Sequence, residues 1–194
     1  MEKQKVIVTG GAGFVGTTLV KHLLEEGCEV TVLDNLYTGS KKNMEQFTSN
    51  PNFKFIEHDI CKPIDIPCDK IYHLACPASP PAYQTEPIKT ILTCIDGTYN
   101  MLCLAEKYKA KLLFTSTSEV YGDPEVHPQK EEYRGCVNCF GPRSCYDEGK
   151  RLAESLCFEF QKKGVYVRIA RLFNTYGPFM QVIFLSFFNL FYIG

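Results

Sequence analysis

The eleven residues VIVTGGAGFVG, at positions 6–16, constrain the fold of this chain more than any other stretch. An apolar run ends in a turn with glycines at 10, 11, 13 and 16, and an amphipathic helical pattern begins at Phe14. Glycine permits a sharp turn and lets the backbone approach a pyrophosphate closely. The N–H groups and dipole of the new helix favour the phosphate charge. The pattern therefore predicts a strand, a dinucleotide-binding loop and a helix.

A second β-rich run, Glu29–Leu33, follows this helix and ends on Asp34. An acidic residue at the tip of the second strand, about 20 residues past the glycines, is placed to hold a ribose diol. Its charge would repel a 2′-phosphate, so the sequence favours NAD over NADP. The alternative is an ordinary glycine-rich turn followed by a surface aspartate.

Length and charge set the class of protein. A chain of 194 residues with a net charge of −1 predicts one domain and gives no sign of a nucleic-acid or membrane partner. The first strand begins by residue 5, which leaves no room for a cleavable signal, so we expect a cytoplasmic location.

Ten cysteines are scattered along the chain, and we expect free thiols in a reducing compartment. Cys136 and Cys139 have CxxC spacing, but no second CxxC or paired histidine supplies further zinc ligands. We therefore expect no metal site, with a redox role for this pair as the alternative.

The remaining pattern alternates strands and helices. Strands are predicted at 53–56, 70–75, 111–116 and 165–170, and helices at 88–108 and 144–162. Prolines in 77–87 predict a loop that is neither regular helix nor inner strand, and 35–43 reads as a polar loop. This alternation predicts an α/β fold, a doubly wound parallel sheet with helices on both faces.

Two polar features converge at the carboxyl ends of the strands, where such sheets bind ligands. Thr117 and Glu119 directly follow the fifth strand, and Tyr146 and Lys150 form an i, i+4 pair on one helix. A nearby ammonium favours the phenolate, so we expect a tyrosine pKa below its usual value of about 10. Such a tyrosine can remove a proton from a sugar hydroxyl that Thr117 positions, and Glu119 is a second acid or base. The alternative is a solvated helix pair.

Longer motifs surround these residues: HLACPASPPAY at 73–83, PIKT at 87–90, STSEVYGDPEVHPQ at 116–129, GPRSCYDEGKRLAE at 141–154 and RLFNTYGP at 171–178. With them, the chain resembles the extended short-chain dehydrogenase/reductase family, also called the NAD-dependent epimerase/dehydratase family. Within that family it is most similar to the UDP-glucuronate decarboxylases (UDP-xylose synthases). The resemblance implies a Rossmann-type fold and NAD as the cofactor.

The resemblance also implies an activity, the decarboxylation of UDP-glucuronate to UDP-xylose through a 4-keto intermediate, with a carboxy-lyase mechanism and no net use of NAD. It implies a homodimer that pairs through helices, including the one with the tyrosine. Two alternatives stay open. The first is another nucleotide-sugar epimerase or dehydratase, and the second is a non-catalytic NAD-binding or dimerising fragment.

Residue roles follow from motif position in the resemblance. Catalytic roles fall on Thr117, Glu119, Tyr146 and Lys150, and Asn174 meets the sugar nucleotide. The NAD site is implied at Gly10, Gly13, Phe14, Val15, Gly16, Asp34, Asn35, Tyr37, Thr38, Gly39, Asp59, Ile60, Leu74, Tyr146 and Lys150.

The sequence departs from the family pattern at several places. Leu92 stands where the family has a lysine, and Cys94 where it has an asparagine. After Pro178 the sequence becomes strongly apolar, and the segment that binds the substrate in the family does not follow. We expect an NAD-binding domain at 1–178 and an atypical tail at 179–194. We interpret the tail as a sign of truncation or mis-splicing; a buried final strand or helix, or a lipid-facing anchor, are the alternatives.

Overall fold

A computed structural model describes residues 3–180, and its centre is a six-stranded parallel sheet in the order β3-β2-β1-β4-β5-β6. The apolar tail discussed above lies almost entirely outside the described residues. The order reverses between β1 and β4, which makes the doubly wound arrangement that the sequence predicted. The strands are Lys5–Thr9 (β1), Glu29–Asp34 (β2), Phe53–Glu57 (β3), Lys70–His73 (β4), Lys111–Thr117 (β5) and Val167–Leu172 (β6).

Six α-helices connect these strands. They are Phe14–Glu25 (α1), Lys41–Glu45 (α2), Pro80–Thr85 (α3), Pro87–Leu92 (α4), Thr98–Tyr108 (α5) and Ser144–Lys162 (α6). A π-helical turn at Thr93–Gly97 joins α4 to α5, so the predicted helix at 88–108 is one run with a wide turn inside it. A 3₁₀ turn at Ser118–Tyr121 follows β5. Within residues 3–180, no helix combines the length and apolarity needed to cross a bilayer.

The expectation that 77–87 excludes regular helix was wrong, because α3 and the start of α4 fall inside it. Both helices begin with proline, which is tolerated in a first turn because the missing N–H has no partner there. The side chain of Ser79 caps α3 by accepting the N–H of Ala82 at 3.3 Å. The short α2 likewise begins within the predicted polar loop at 35–43. β4 ends two residues earlier than predicted, and β6 is displaced towards the C-terminus.

Two apolar cores cover the two faces of the sheet. The alternation of β1 shows how they divide, because Val6 and Val8 pack with Val20 of α1 on one face. Ile7, between them, packs on the other face with Met101 of α5 and further residues of α6. The period of two along a strand therefore buries both sides of β1, which explains its continuous apolar run.

His73, at the end of β4, fastens the centre of the sheet to α5. Its Nδ1 lies 2.8 Å from the hydroxyl of Thr9, and its Nε2 lies 3.0 Å from the hydroxyl of Thr98. Burial, assisted by the positive charge of Lys150, lowers the pKa of His73 to about 3. The ring is therefore neutral in the folded protein over the usual pH range.

This burial predicts a loss of stability in mild acid. Between a pKa of about 6.5 in the unfolded chain and about 3 in the folded protein, the unfolded state binds the extra proton. The free energy of unfolding should therefore fall as the pH falls, by about 2 kcal/mol from pH 7 to pH 5 for this one group. Urea unfolding of the wild type and of His73→Gln measures it. The variant should lack this increment, and equal pH slopes in the two proteins would contradict the assignment.

Candidate active site

The loops after β1 and β4 lie directly against each other at the carboxyl edge of the sheet. Gly10 has a φ of +70°, and a Cβ there would lie 2.8 Å from the backbone nitrogen of Ala75. The N–H of Leu74 donates to the carbonyl of Thr9 at 3.1 Å. The ends of β1 and β4 are therefore in contact, and only glycine at position 10 allows this approach.

The start of α1 packs directly against the glycine loop. A Cβ on Gly16 would lie 2.2 Å from the carbonyl oxygen of Gly10, so the helix begins in contact with the loop. Gly13 occupies the N-cap without a side-chain cap, and no acidic residue stands in the first turn. Phe14 and Val15 begin the helix, and Val15 is 38% exposed. Uncapped N–H groups and the helix dipole fit a pyrophosphate here.

Asp34 ends β2 beside this loop. Its Oδ2 accepts the N–H of Ala12 at 3.0 Å, and its Oδ1 accepts the N–H of Leu36 at 2.8 Å. Burial raises the pKa of this carboxyl above its usual value, although both N–H donors oppose the shift. A Cβ on Gly39 would lie 3.0 Å from each carboxylate oxygen, so glycine leaves the space beside them open. The remaining lone pairs can accept a ribose diol.

Further residues expected at the cofactor flank this position. Asn35 donates to Asp59 at 3.4 Å, and the hydroxyl of Tyr37 donates to the carbonyl of Ala82 at 3.1 Å. Thr38 follows Tyr37 in the same loop, and Ile60 is buried beside Gly97, where a Cβ would meet its side chain. Taken together, the residues at this edge fit an NAD molecule.

Tyr146 and Lys150 lie on the buried face of α6, against the end of β5. They are only 7% and 4% exposed, which excludes the alternative of a solvated helix pair. The Nζ of Lys150 donates to the carbonyl of Thr115 at 2.8 Å and lies 5.9 Å from the ring centroid of Tyr146. The i, i+4 spacing places both side chains towards the sheet.

The expected fall in the pKa of Tyr146 was wrong for the protein without ligands. Burial, assisted by the charge of Cys76, raises the pKa of this phenol to about 12. Lys150 and a hydrogen bond with Thr117 act in the predicted direction but are outweighed. The sequence showed the neighbouring cation and could not show how deeply the phenol is buried.

Glu119 lies close to Thr117 and forms an ion pair with Arg143, a residue to which we assigned no role from the sequence. Its N–H donates to the hydroxyl of Thr117 at 3.2 Å, and its carboxylate forms an ion pair with Arg143. Arg143 also lies 3.8 Å from Asp147. Burial raises the pKa of Asp147 to about 6, opposed by Arg143. The i, i+4 spacing of Arg143 and Asp147 was the available signal.

Three buried polar side-chain atoms of residues 3–180 lack a hydrogen-bond partner: the hydroxyls of Tyr83 and Ser116, and Oδ1 of Asp147. The ring of Tyr83 stacks on Tyr146, with centroids 5.1 Å apart and an interplanar angle of 7°. Asp147 adjoins Tyr146 on α6, and Ser116 lies at the end of β5. An unpaired buried polar group costs about 1–3 kcal/mol, so this cluster suits a polar ligand. Sequence reasoning assigned no role to Tyr83.

Neither Asn174 nor the CxxC pair belongs to the buried cluster around Tyr146. Asn174 is exposed in the segment after β6 and makes no side-chain hydrogen bond to any part of the chain that the structure describes. A Cβ on Gly177, in the same segment, would lie 3.2 Å from the ring of Phe14, so this segment returns to the start of α1. Cys136 and Cys139 are exposed thiols. The described residues contain no cluster of three or more possible metal ligands.

Comparison with known proteins identifies the family of this chain. The model of the "NAD dependent epimerase/dehydratase family" matches residues 6–186. UDP-glucuronic acid decarboxylase 1 of Xenopus tropicalis is 56% identical over 182 residues, which cover 93% of this chain and 43% of that protein. The chain spans 40–53% of the length of the curated relatives it matches at 54–58% identity.

Solved structures share the fold. A UDP-galactose 4-epimerase is 31% identical with a TM-score of 0.80, covering 96% of this chain and 62% of that one. A dTDP-glucose 4,6-dehydratase from Bacillus anthracis, solved in complex with NAD, is 27% identical with a TM-score of 0.78, covering 97% and 61%. The chain that carries the glycine loop, the aspartate at the tip of β2 and the buried tyrosine–lysine pair is similar to these proteins in sequence and in fold. It therefore belongs to the NAD-dependent epimerase/dehydratase family.

Proposed function

We propose that this chain carries the NAD-binding and catalytic residues of a UDP-glucuronate decarboxylase, which forms UDP-xylose through a 4-keto intermediate. The observation that carries the proposal is the cluster at the end of β5, in which Tyr146, Lys150 and Thr117 are buried and Glu119 is partly exposed. The relatives at 54–58% identity, all named UDP-glucuronic acid decarboxylases, support this choice of substrate.

Each residue of the cluster has a distinct task in this proposal. When bound, NAD supplies a positively charged ring that takes a hydride from the sugar and returns it. Tyr146 accepts the proton of the sugar C4 hydroxyl, and Thr117 holds the same oxygen in place. Lys150 stabilises the phenolate against the cost of burial. Glu119, paired with Arg143, is the second acid or base.

Asp34 and the glycine loop hold the cofactor in this proposal. The uncapped start of α1 binds the pyrophosphate, and the carboxylate of Asp34 accepts the ribose hydroxyls. The same carboxylate repels the 2′-phosphate of NADP. In this proposal the hydroxyl of Tyr83 and Oδ1 of Asp147, which are buried without a hydrogen-bond partner among residues 3–180, bind hydroxyl groups of the sugar.

The test is incubation of the purified 194-residue chain with UDP-glucuronate and NAD, following carbon dioxide and UDP-xylose. The wild type should form both products. Tyr146→Phe removes only the hydroxyl, so its product formation should fall about 10²- to 10⁴-fold. Its NAD affinity should stay within about threefold, because the ring and its stacking on Tyr83 remain.

Other results would separate the rival functions. Unchanged turnover in Tyr146→Phe would remove this residue from its role as the base. A different nucleotide sugar as the product would favour an epimerase or dehydratase. NAD binding without any product would favour a non-catalytic NAD-binding fragment.

We also propose that the chain forms a homodimer through its helices. Large apolar side chains are exposed along the run from α4 to α5, namely Ile88 at 73%, Leu92 at 45% and Tyr99 at 50%. Leu152 and Phe158 on α6 are 47% and 50% exposed. Apolar side chains clustered on neighbouring helices are typical of a protein interface.

A charge on this surface should separate the subunits. Leu152→Glu places a carboxylate within the proposed interface, and burying an unpaired charge is costly. Light scattering after gel filtration should show a dimer for the wild type and a shift towards monomer for the variant. Val126→Glu is the matched control, since Val126 is 49% exposed and lies in the loop between β5 and α6 rather than on a helix. A monomeric wild type, or equal shifts in both variants, would contradict the proposal.

A further inference from the structure

Two cysteines from separate elements meet beside the catalytic cluster. Cys76 lies in the loop after β4, and Cys94 lies in the π-helical turn between α4 and α5. Their sulfur atoms are 3.3 Å apart, within hydrogen-bond distance for thiols. Cys94 is 2% exposed, whereas Cys76 is only partly buried and keeps contact with solvent.

The thiol pair is held against the helix that carries the tyrosine and lysine. A Cβ on Gly149 would lie 3.1 Å from both Cβ and Sγ of Cys94, so glycine makes room for that thiol between Tyr146 and Lys150. Cys76 packs against the buried cluster that contains Tyr146. The two sulfur atoms therefore form part of the wall of the catalytic cluster.

The two thiols differ in acidity in the way that a reactive pair requires. The hydrogen bond with Cys94, assisted by the charge of Lys150 and opposed by burial, lowers the pKa of Cys76 to about 7. The same hydrogen bond and burial raise the pKa of Cys94 well above its usual value. At neutral pH, Cys76 is therefore a nucleophilic thiolate in a large fraction of the molecules, while Cys94 keeps its proton.

We propose that Cys76 and Cys94 are a modification site for peroxides, at which the two thiols become a disulfide in the wall of the catalytic cluster. The bond would join the loop after β4 to the π-helical turn, and it would replace the thiolate that faces Tyr146 and Lys150 with a neutral bridge.

The chemistry balances with one peroxide per pair. The Cys76 thiolate attacks a peroxide oxygen, the O–O bond breaks, and the released hydroxide takes a proton to become water. The sulfur of Cys94 then attacks the resulting sulfenic acid of Cys76. An S–S bond forms, the S–O bond breaks, and hydroxide leaves with the Cys94 proton as a second water. Two thiols lose two electrons, and hydrogen peroxide gains them.

Only a small movement is needed. The sulfur atoms must approach from 3.3 Å to a bond length of about 2.0 Å. Cys76 lies outside regular secondary structure, between the end of β4 and the cap of α3 at Ser79. Rotation of its side chain and a small shift of this loop can supply the approach.

The experiment treats the purified 194-residue chain with hydrogen peroxide, blocks the remaining thiols with N-ethylmaleimide in denaturant, and maps tryptic peptides by mass spectrometry. Trypsin separates Cys76, in peptide 71–89, from Cys94, in peptide 90–107. A linked pair of these peptides is expected, about 2 Da lighter than their sum by loss of two hydrogens, and dithiothreitol should release it. Fragmentation distinguishes Cys94 from Cys103, which shares its peptide.

Matched variants identify the partners. Cys94→Ser should reduce the amount of linked peptide at least tenfold. It should leave Cys76 as a sulfenic acid, which dimedone traps. Cys145→Ser removes another buried thiol of the same cluster and should leave the link intact. The exposed pair Cys136 and Cys139 reports that the oxidant was effective. Maleimide labelling of Cys76 and Cys94 while that pair oxidises, or a link from Cys76 to Cys145, would overturn the proposal.

Discussion

The close approach of three backbone segments at the carboxyl edge of the sheet is the constraint on which the site depends. Gly10 turns with a positive φ and leaves no space for a side chain against Ala75. Gly16 starts α1 against the carbonyl of Gly10, and Ala12 between them donates its N–H to Asp34. A Cβ at either glycine would push the loop off the strand ends. The cradle for a dinucleotide is therefore a consequence of backbone packing, with the aspartate tied into it.

On the other side of the strand ends, burial of polar groups sets the chemistry. Lys150 is held by the carbonyl of Thr115 and keeps its charge in a nearly closed environment. Burial raises the pKa of Lys150's neighbour Tyr146 more than the cation lowers it. The free site is thus poised with a protonated phenol, and the thiolate of Cys76 contributes to that state. The positive ring of bound NAD would act in the opposite direction.

The sequence predicted what depends on local pattern. Alternating strands and helices, the glycine loop and the i, i+4 pair of Tyr146 and Lys150 all follow from spacing. They gave the correct sheet, although the bounds of β4 and β6 differ from the prediction by two residues. The sequence did not predict the features that depend on tertiary burial or on pairing between residues distant in the chain. The raised pKa of Tyr146 is one case, and the ion pair of Glu119 with Arg143 is another. The short helix α3 was missed because proline was taken as a helix breaker, although it suits a first turn.

The most direct test of the account is calorimetric titration of the purified chain with NAD and with NADP. The account predicts that one NAD binds per chain and that NADP binds at least about tenfold more weakly, since one charged contact is worth about 1.5–3 kcal/mol. In Asp34→Ala the gap between the two cofactors should shrink, whereas a general distortion of the loop would weaken both equally. No binding of NAD, or equal affinity of the wild type for both cofactors, would contradict the central claim.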